Sequence, residues 1–404
     1  MSAIPAPLER NAGLLQGIVL LLPVTLSVMG IAILVPVMPQ LMAHFAHVPG
    51  HQYLIQGGVL TMPALCIMLF SPLAGWLADR FGRRRILIAS IVVYAGFGIA
   101  PVFLDNLFAI IATRVGVGLC EAVIMTVSTT LISDYYDGHR REQWLASQTA
   151  VASLSSLLLI YLGGVLGATH GWRGPFAIYL VSLVFAAGIW LFTWEPEGES
   201  TRAAITPTRA VSAPPVFPWA RLGGICAITL FASVMFFVIQ TQSSLALTHL
   251  GVTDPERIGF YTMLASLGIP LGTFVFRGLA RLPIGALIGL EFAVIGIGFI
   301  LMGRASTPQG FVIAAALNQI GCGMALPTLL TWATRGLAFE IRGRGNGIWQ
   351  GTFAVGQFLS GIIVTFLGET SGGLLPAFII LGVSNLVAAA LSFGGHARNV
   401  VAKR

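Results

Sequence analysis

The chain has 404 residues, of which 56% are hydrophobic and only 9% charged, and its mean hydropathy is +0.87. A soluble domain is nearer a quarter charged, and no soluble fold of this length can bury so much apolar surface, so an ordinary water-soluble protein is excluded. The formal charge of +7 does not imply a nucleic-acid partner, because the basic residues fall in short clusters between long apolar runs.

Apolar runs of about 20 residues, the length that crosses a hydrocarbon core of ~30 Å, predict spans at 14–38, 53–77, 86–104, 107–131, 144–168 and 175–194. Six more follow at 220–247, 257–276, 283–302, 310–333, 347–368 and 374–394. The first run is long enough to span and reads as an uncleaved signal-anchor. Cys66, Cys120, Cys226 and Cys322 all sit inside these runs, without metal-ligand or disulfide spacing, and are expected to pack as small apolar residues. Of the 22 basic residues, eighteen fall on one side of the implied membrane and Arg173, Arg257 and Arg304 on the other. The positive-inside rule therefore predicts that both termini are cytoplasmic.

Between the sixth and seventh spans, residues 195–218 open with Glu-Pro-Glu-Gly-Glu-Ser and continue with prolines, threonines and alanines, the composition of a flexible linker. The chain thus divides into 1–194, a cytoplasmic linker at 195–218, and 219–404. Gly75-Trp-Leu-Ala-Asp79 after span two is echoed faintly by Gly278-Leu-Ala-Arg281 after span eight, as duplicated halves require. The expected fold class is an all-α polytopic membrane protein with twelve transmembrane helices in two six-helix pseudo-repeat bundles.

The stretch from Gly75 to Leu87, GWLADRFGRRRIL, carries the most information. It resembles the signature loop of the major facilitator superfamily, G-x-L-A-D-R-x-G-R-R-x-x-L, at every specified position. The resemblance implies that Gly75, Asp79, Arg80, Gly82, Arg83 and Arg84 form a gating element at the cytoplasmic surface. Its charges can pair across the two halves in one state and must part during the cycle. Further features are similar to the twelve-span drug:proton antiporter branch: Pro36-Val-Met-Pro39 ending span one, Ser71-Pro72 in span two, Arg114-Val-Gly116-Val-Gly118 in span four, and Gly163-Gly164 leading to Gly171-Trp172-Arg173 after span five. One departure stands out. The Gly-Pro pair of that branch's fifth span is here Leu159-Ile160, and Ser155 replaces an upstream glycine.

Ionisable groups inside spans are costly and mark function by default. Arg114 and Glu121 in span four lie seven residues apart, on one face and separated by ~10 Å of rise. Too distant for a tight pair, they are expected to share a polar cavity. A carboxyl in low dielectric can take up and release a proton near neutral pH, so Glu121, tuned by Arg114, is the expected proton-coupling group. Glu291 in the peripheral ninth span is expected to be structural. Met125, Phe236, Phe237, Gln240, Asn318, Gln319 and Gln357 are candidates for an apolar binding site with a few polar groups; Gln242 lies beside them. His44, His47 and His51 read as solvated loop residues rather than metal ligands, and no phosphate-binding loop is present.

These features lead to a secondary transporter, not an enzyme, with no metal or cofactor beyond the proton gradient. Its expected partners are a small-molecule substrate, protons and the lipid bilayer, and it is expected to act as a monomer in a bacterial inner membrane. Proton-coupled efflux of small hydrophobic or amphipathic compounds is one reading; proton-coupled or facilitated uptake of a small metabolite is the other.

Overall fold

The structure, a computed structural model, describes residues 12–196, 217–335, 337 and 339–401. Apart from its two ends, the linker expected over 195–218 lies outside the described residues, as do Arg10, Arg202, Arg209, Lys403 and Arg404. The described residues are helical throughout apart from short connections. Hydrocarbon offers no partner for a peptide N–H or C=O, so an apolar chain must satisfy its backbone internally, and an unbroken helix does so.

The helices are α1 (Leu14–His44), α2 (Met62–Phe81), α3 (Arg83–Ile99), α4 (Leu107–Tyr135), α5 (Gly138–His170) and α6 (Ser182–Phe192) in the N-terminal half. The C-terminal half holds α7 (Trp219–His249), α8 (Pro255–Leu279), α9 (Ile284–Gly303), α10 (Pro308–Thr334), α11 (Phe339–Ser371) and α12 (Leu374–Val401). Eleven stretches among the described residues are long and apolar enough to cross a bilayer. One of them, Gly138–Phe192, is 55 residues long, enough for two passes. It breaks at Gly171, where φ is 66°, and Gly174 then packs on the Leu166 carbonyl. Twelve crossings follow.

Proline shapes α1. Pro23 and Pro36 lack the N–H that a continuous helix needs. After Pro23 the chain bonds back only three residues, Thr25 N–H to the Leu22 carbonyl (2.9 Å) and Leu26 N–H to that of Pro23 (3.0 Å). The result is three short helices, Leu14–Leu21, Val24–Ala32 and Met38–His44. A π-helix at Leu54–Leu60 precedes α2. Two apolar clusters fill the interior, one drawn from Val19 to Ile189 and the other from Leu222 to Ala389.

Candidate functional site

The halves meet along a seam that begins at the arginine-poor face. Gly164 of α5 lies against Gly259 and the Pro255 carbonyl of α8 so closely that a Cβ on Gly164 would fall 2.6 Å from that oxygen. Beside it, Gly163 abuts the Ile33 carbonyl of α1, where a Cβ would fall at 2.3 Å. The glycine pair therefore allows three backbones to touch. On the other flank Tyr53 donates a hydrogen bond to Glu369. Gln56, fully buried, donates to the Thr241 carbonyl of α7 (3.2 Å), and the Thr61 hydroxyl to that of Phe358 on α11 (3.2 Å). Met68 beside Gly351 continues the contact toward mid-depth.

At the arginine-rich face the ion pairs among the described residues lie within the N-terminal half. Gly82, with φ 93°, turns the chain from α2 into α3. That conformation favours glycine, and a Cβ there would also press on the Glu195 carboxylate at 3.1 Å. Glu195 accepts the backbone N–H groups of Arg84 and Arg85 at the start of α3 (3.1 and 3.3 Å), where a helix N-terminus favours an anion. Arg83 binds Asp79 (3.0 Å) and, more tightly, both oxygens of Asp134 at the end of α4 (2.6 Å). Arg84 reaches Thr193 and the Trp190 carbonyl at the end of α6. Arg80 stands apart, its guanidinium over the exposed rings of Trp76 and Phe81. Gly75 lies where α2 passes Thr126 of α4. In this structure, then, the signature charges pair inside the N-terminal half, and Asp134 and Glu195, which motif matching passed over, complete the cluster.

Arg114 and Glu121 are both buried inside the N-terminal half. Two tyrosines connect them. Arg114 donates to the Tyr179 hydroxyl (2.8 Å) and to the Phe97 carbonyl (3.4 Å), with its guanidinium 5.2 Å from the Phe176 ring centre. Tyr179 packs on Tyr94 at 5.1 Å between rings. The Tyr94 hydroxyl lies 2.8 Å from the Leu26 carbonyl of α1 and 3.3 Å from Glu121 Oε1. Glu121 also touches Gly30 of α1. Neither tyrosine stood out in the sequence, because tyrosine in an apolar run is ordinary; only the fold shows which hydroxyl meets which charge.

The candidate binding residues divide. Phe236 and Phe237 of α7 form a ring cluster with Phe353 of α11, which stacks on Trp349. Gln240, half-buried, donates to Gln319 (3.3 Å), and Gln319 to Asn318 (3.3 Å). Asn318 is fully buried and donates to the Ile295 carbonyl (3.0 Å), so it ties α10 to α9. Gln357 is half-buried, and Met125 is exposed on α4. Gln242 donates to the Gly361 carbonyl (3.3 Å) and belongs to the α7–α11 packing. Glu291, equally buried, accepts the Thr328 hydroxyl of α10.

The sequence profile of the Major Facilitator Superfamily matches residues 20–337. Among curated proteins, the class C tetracycline resistance protein of Escherichia coli is 30% identical over 80% of this chain and 76% of its own length. The cis,cis-muconate transport protein of Acinetobacter baylyi is 23% identical over 78% of each. Among solved structures, an inward-facing, unoccupied bacterial homologue of the human lysosomal transporter Spinster superposes with a TM-score of 0.76 at 17% identity, covering 95% of this chain and 97% of that one. With the profile covering more than half of the chain and the twelve-helix fold in agreement, this multi-pass membrane protein belongs to the Major Facilitator Superfamily and is a transporter.

Proposed function

We propose that the chain is a proton-coupled exporter of small hydrophobic or amphipathic compounds, working by alternating access between bundles 1–194 and 219–404. The arginine-rich face, with both termini, is cytoplasmic in a bacterial inner membrane, and the protein acts as a monomer. The carrying observation is the pairing of a tight seam at the arginine-poor face with a carboxyl, Glu121, buried beside the α1 segment that leads to that seam. Such an arrangement suits a transporter whose outward gate answers to one intramembrane proton. The Asp79 cluster is the inward latch. With the seam closed, its charges turn to Asp134 and their own half; with the seam open, they face the opposite bundle. The aromatic group of Phe236, Phe237 and Phe353 and the Gln240 and Gln357 amides supply an apolar wall with few polar groups, and Met125, exposed on α4, is a candidate to add to it. Likeness to a tetracycline resistance protein supports export.

Uptake of a small metabolite is the second reading, favoured by the likeness to a muconate transport protein and by the missing Gly-Pro pair, whose place Leu159 and Ile160 take in α5. Inside-out membrane vesicles separate the two. With tetracycline and cis,cis-muconate as probes and a fluorescent amine to report lumenal acidity, export predicts tetracycline uptake into energised vesicles with release of the acid gradient. Glu121→Gln should abolish that release while Glu291→Gln retains it. Proton release that survives Glu121→Gln unchanged would remove Glu121 from coupling. Muconate movement without any tetracycline signal would favour the second reading.

A further inference from the structure

The Tyr94 hydroxyl has one proton and two acceptors in reach. Leu26 O, at 2.8 Å, is the nearer, and Glu121 Oε1 is at 3.3 Å. A phenol has one hydrogen, and the shorter distance gives most of it to Leu26, so the 3.3 Å contact leaves Glu121 at most a weak share. A buried carboxylate with so little donated to it is costly, which favours the neutral acid. The surroundings agree. Glu121 is 1% exposed, and the groups facing it are Tyr94 of α3, Tyr179 in the 3-10 stretch that leads into α6, Cys66 of α2, Gly30 and Leu26 of α1, and Arg114 and Cys120 on its own helix. The one cation among these, Arg114, directs two N–H groups to Tyr179 and Phe97, and its Nε has no partner among the described residues. No acid among the described residues pairs with it.

Leu26 is not an arbitrary carbonyl. It sits in the segment Val24–Ala32, set off by the break at Pro23 and by the Val35–Val37 turn around Pro36. Glu121 touches this segment at Gly30, and three residues on, Ile33 rests its carbonyl on Gly163. The neighbouring Gly164 is the point where α5 meets α8 of the other half. A short, separately hinged piece of α1 therefore meets Tyr94 at Leu26 and, within one helical turn of each other, the carboxyl at Gly30 and the seam just beyond it at Ile33.

We infer that Tyr94 couples the two: with the seam closed it gives its proton to Leu26 and leaves Glu121 protonated, and when the α1 segment withdraws, it turns to donate to Glu121 as a carboxylate. Tyr94 keeps its own proton throughout and only changes acceptor. The proton that leaves Glu121 passes to water at the arginine-rich face, which is open until the seam parts, and a proton returns from the arginine-poor face once the seam is open, the direction that proton-driven export requires. Tyr94 is thus a positioning residue, and it makes deprotonation of Glu121 and opening of the seam a single event. This rests on the proton-coupled reading above and adds the device that links proton to motion.

The test needs no knowledge of the substrate. The full chain is reconstituted in liposomes with spin labels at His47→Cys and Thr253→Cys, exposed positions on the arginine-poor face of each half. Label separation and the infrared carbonyl band of protonated carboxyls are followed across pH, with Glu121→Gln and Glu291→Gln assigning the band. The wild type should show the Glu121 band when the labels are close and lose it as they part, with one midpoint for both. Tyr94→Phe should separate the two midpoints by about one pH unit or more, a tenfold loss of coupling. Midpoints that remain superimposed in Tyr94→Phe would overturn the inference. So would a closed wild type without the Glu121 band, a comparison that stands even if the Tyr94 variant does not fold. Labels that titrate unchanged in Glu121→Gln defeat the proton-coupled reading itself. If Glu121→Gln abolishes the response while Tyr94→Phe keeps the midpoints together, only the role of Tyr94 falls.

Discussion

The two ends of the molecule are held by different physics. At the arginine-poor face the halves meet through glycines, carbonyls and buried amides, such as Gly164 on Pro255 and Gln56 on Thr241. At the arginine-rich face the ion pairs among the described residues are partly exposed and lie within one half, as with Asp79, Arg83 and Asp134. Close packing tolerates no intermediate position, because a methyl group is enough to spoil it. Ion pairs in contact with water exchange partners at little cost. One end is suited to an all-or-none closure and the other to a latch that can be remade elsewhere.

The contrast predicts that the largest effect comes from filling the seam. Gly164→Leu places a side chain where even a Cβ meets Pro255 O at 2.6 Å. The seam should fail to close, at a cost of about 1–3 kcal/mol, which shifts the population roughly 10–100-fold toward the open form. Spin labels at the face should separate, and transport should be nearly lost. Labels that stay close in Gly164→Leu would mean that the seam is not a tight closure. Gln56→Leu comes next. It removes the donor to Thr241 from a buried site and leaves that carbonyl without its interhelix partner, an effect of about 1–2 kcal/mol on the closed form. Its own Oε1 has no partner among the described residues, so the loss should stay at the low end of that range. A smaller label shift than in Gly164→Leu is the expected reading.

Much of this was legible in the sequence. Apolar runs set the spans because hydrocarbon demands them, though the helices extend beyond several predicted ends; α4 runs on to Tyr135 and α7 to His249. GWLADRFGRRRIL marked the charged loop through its resemblance to the superfamily's signature. The partners of those charges were not legible. Asp134 lies 51 residues from Arg83, and Glu195 lies 111 residues from Arg84; only packing of α4 and α6 against α3 brings them together. Sequence spacing likewise put Arg114 and Glu121 on one helix face, but could not reveal that Tyr94 and Tyr179, from two other helices, stand between them. Asn318 and Gln357 looked alike as polar residues in spans. Whether such an amide faces a cleft or a neighbouring helix depends on rotation about the helix axis, which a span apolar on nearly every side does not reveal in its sequence.

At the ionic end the expected effects are smaller, and Asp134 should exceed Asp79. The Asp134 side chain is 16% exposed and receives Arg83 through both oxygens. Asp134→Asn should cost about 1 kcal/mol of stability, read as a small fall in thermal midpoint.

Asp79 is 66% exposed and meets Arg83 through one oxygen one helical turn away. In the closed-seam form Asp79→Asn should therefore change stability by no more than about 0.5 kcal/mol. Its effect should surface in the other form, where the charge would face the opposite bundle: the variant should populate the open-seam form less than the wild type, although it touches nothing near the seam. Double labelling of both faces reads this directly. If Asp79→Asn instead lowered the thermal midpoint as much as Asp134→Asn and left the populations unchanged, Asp79 would be only a brace within its own half, and the contrast between a packed closure and an exchangeable latch would lose its second member.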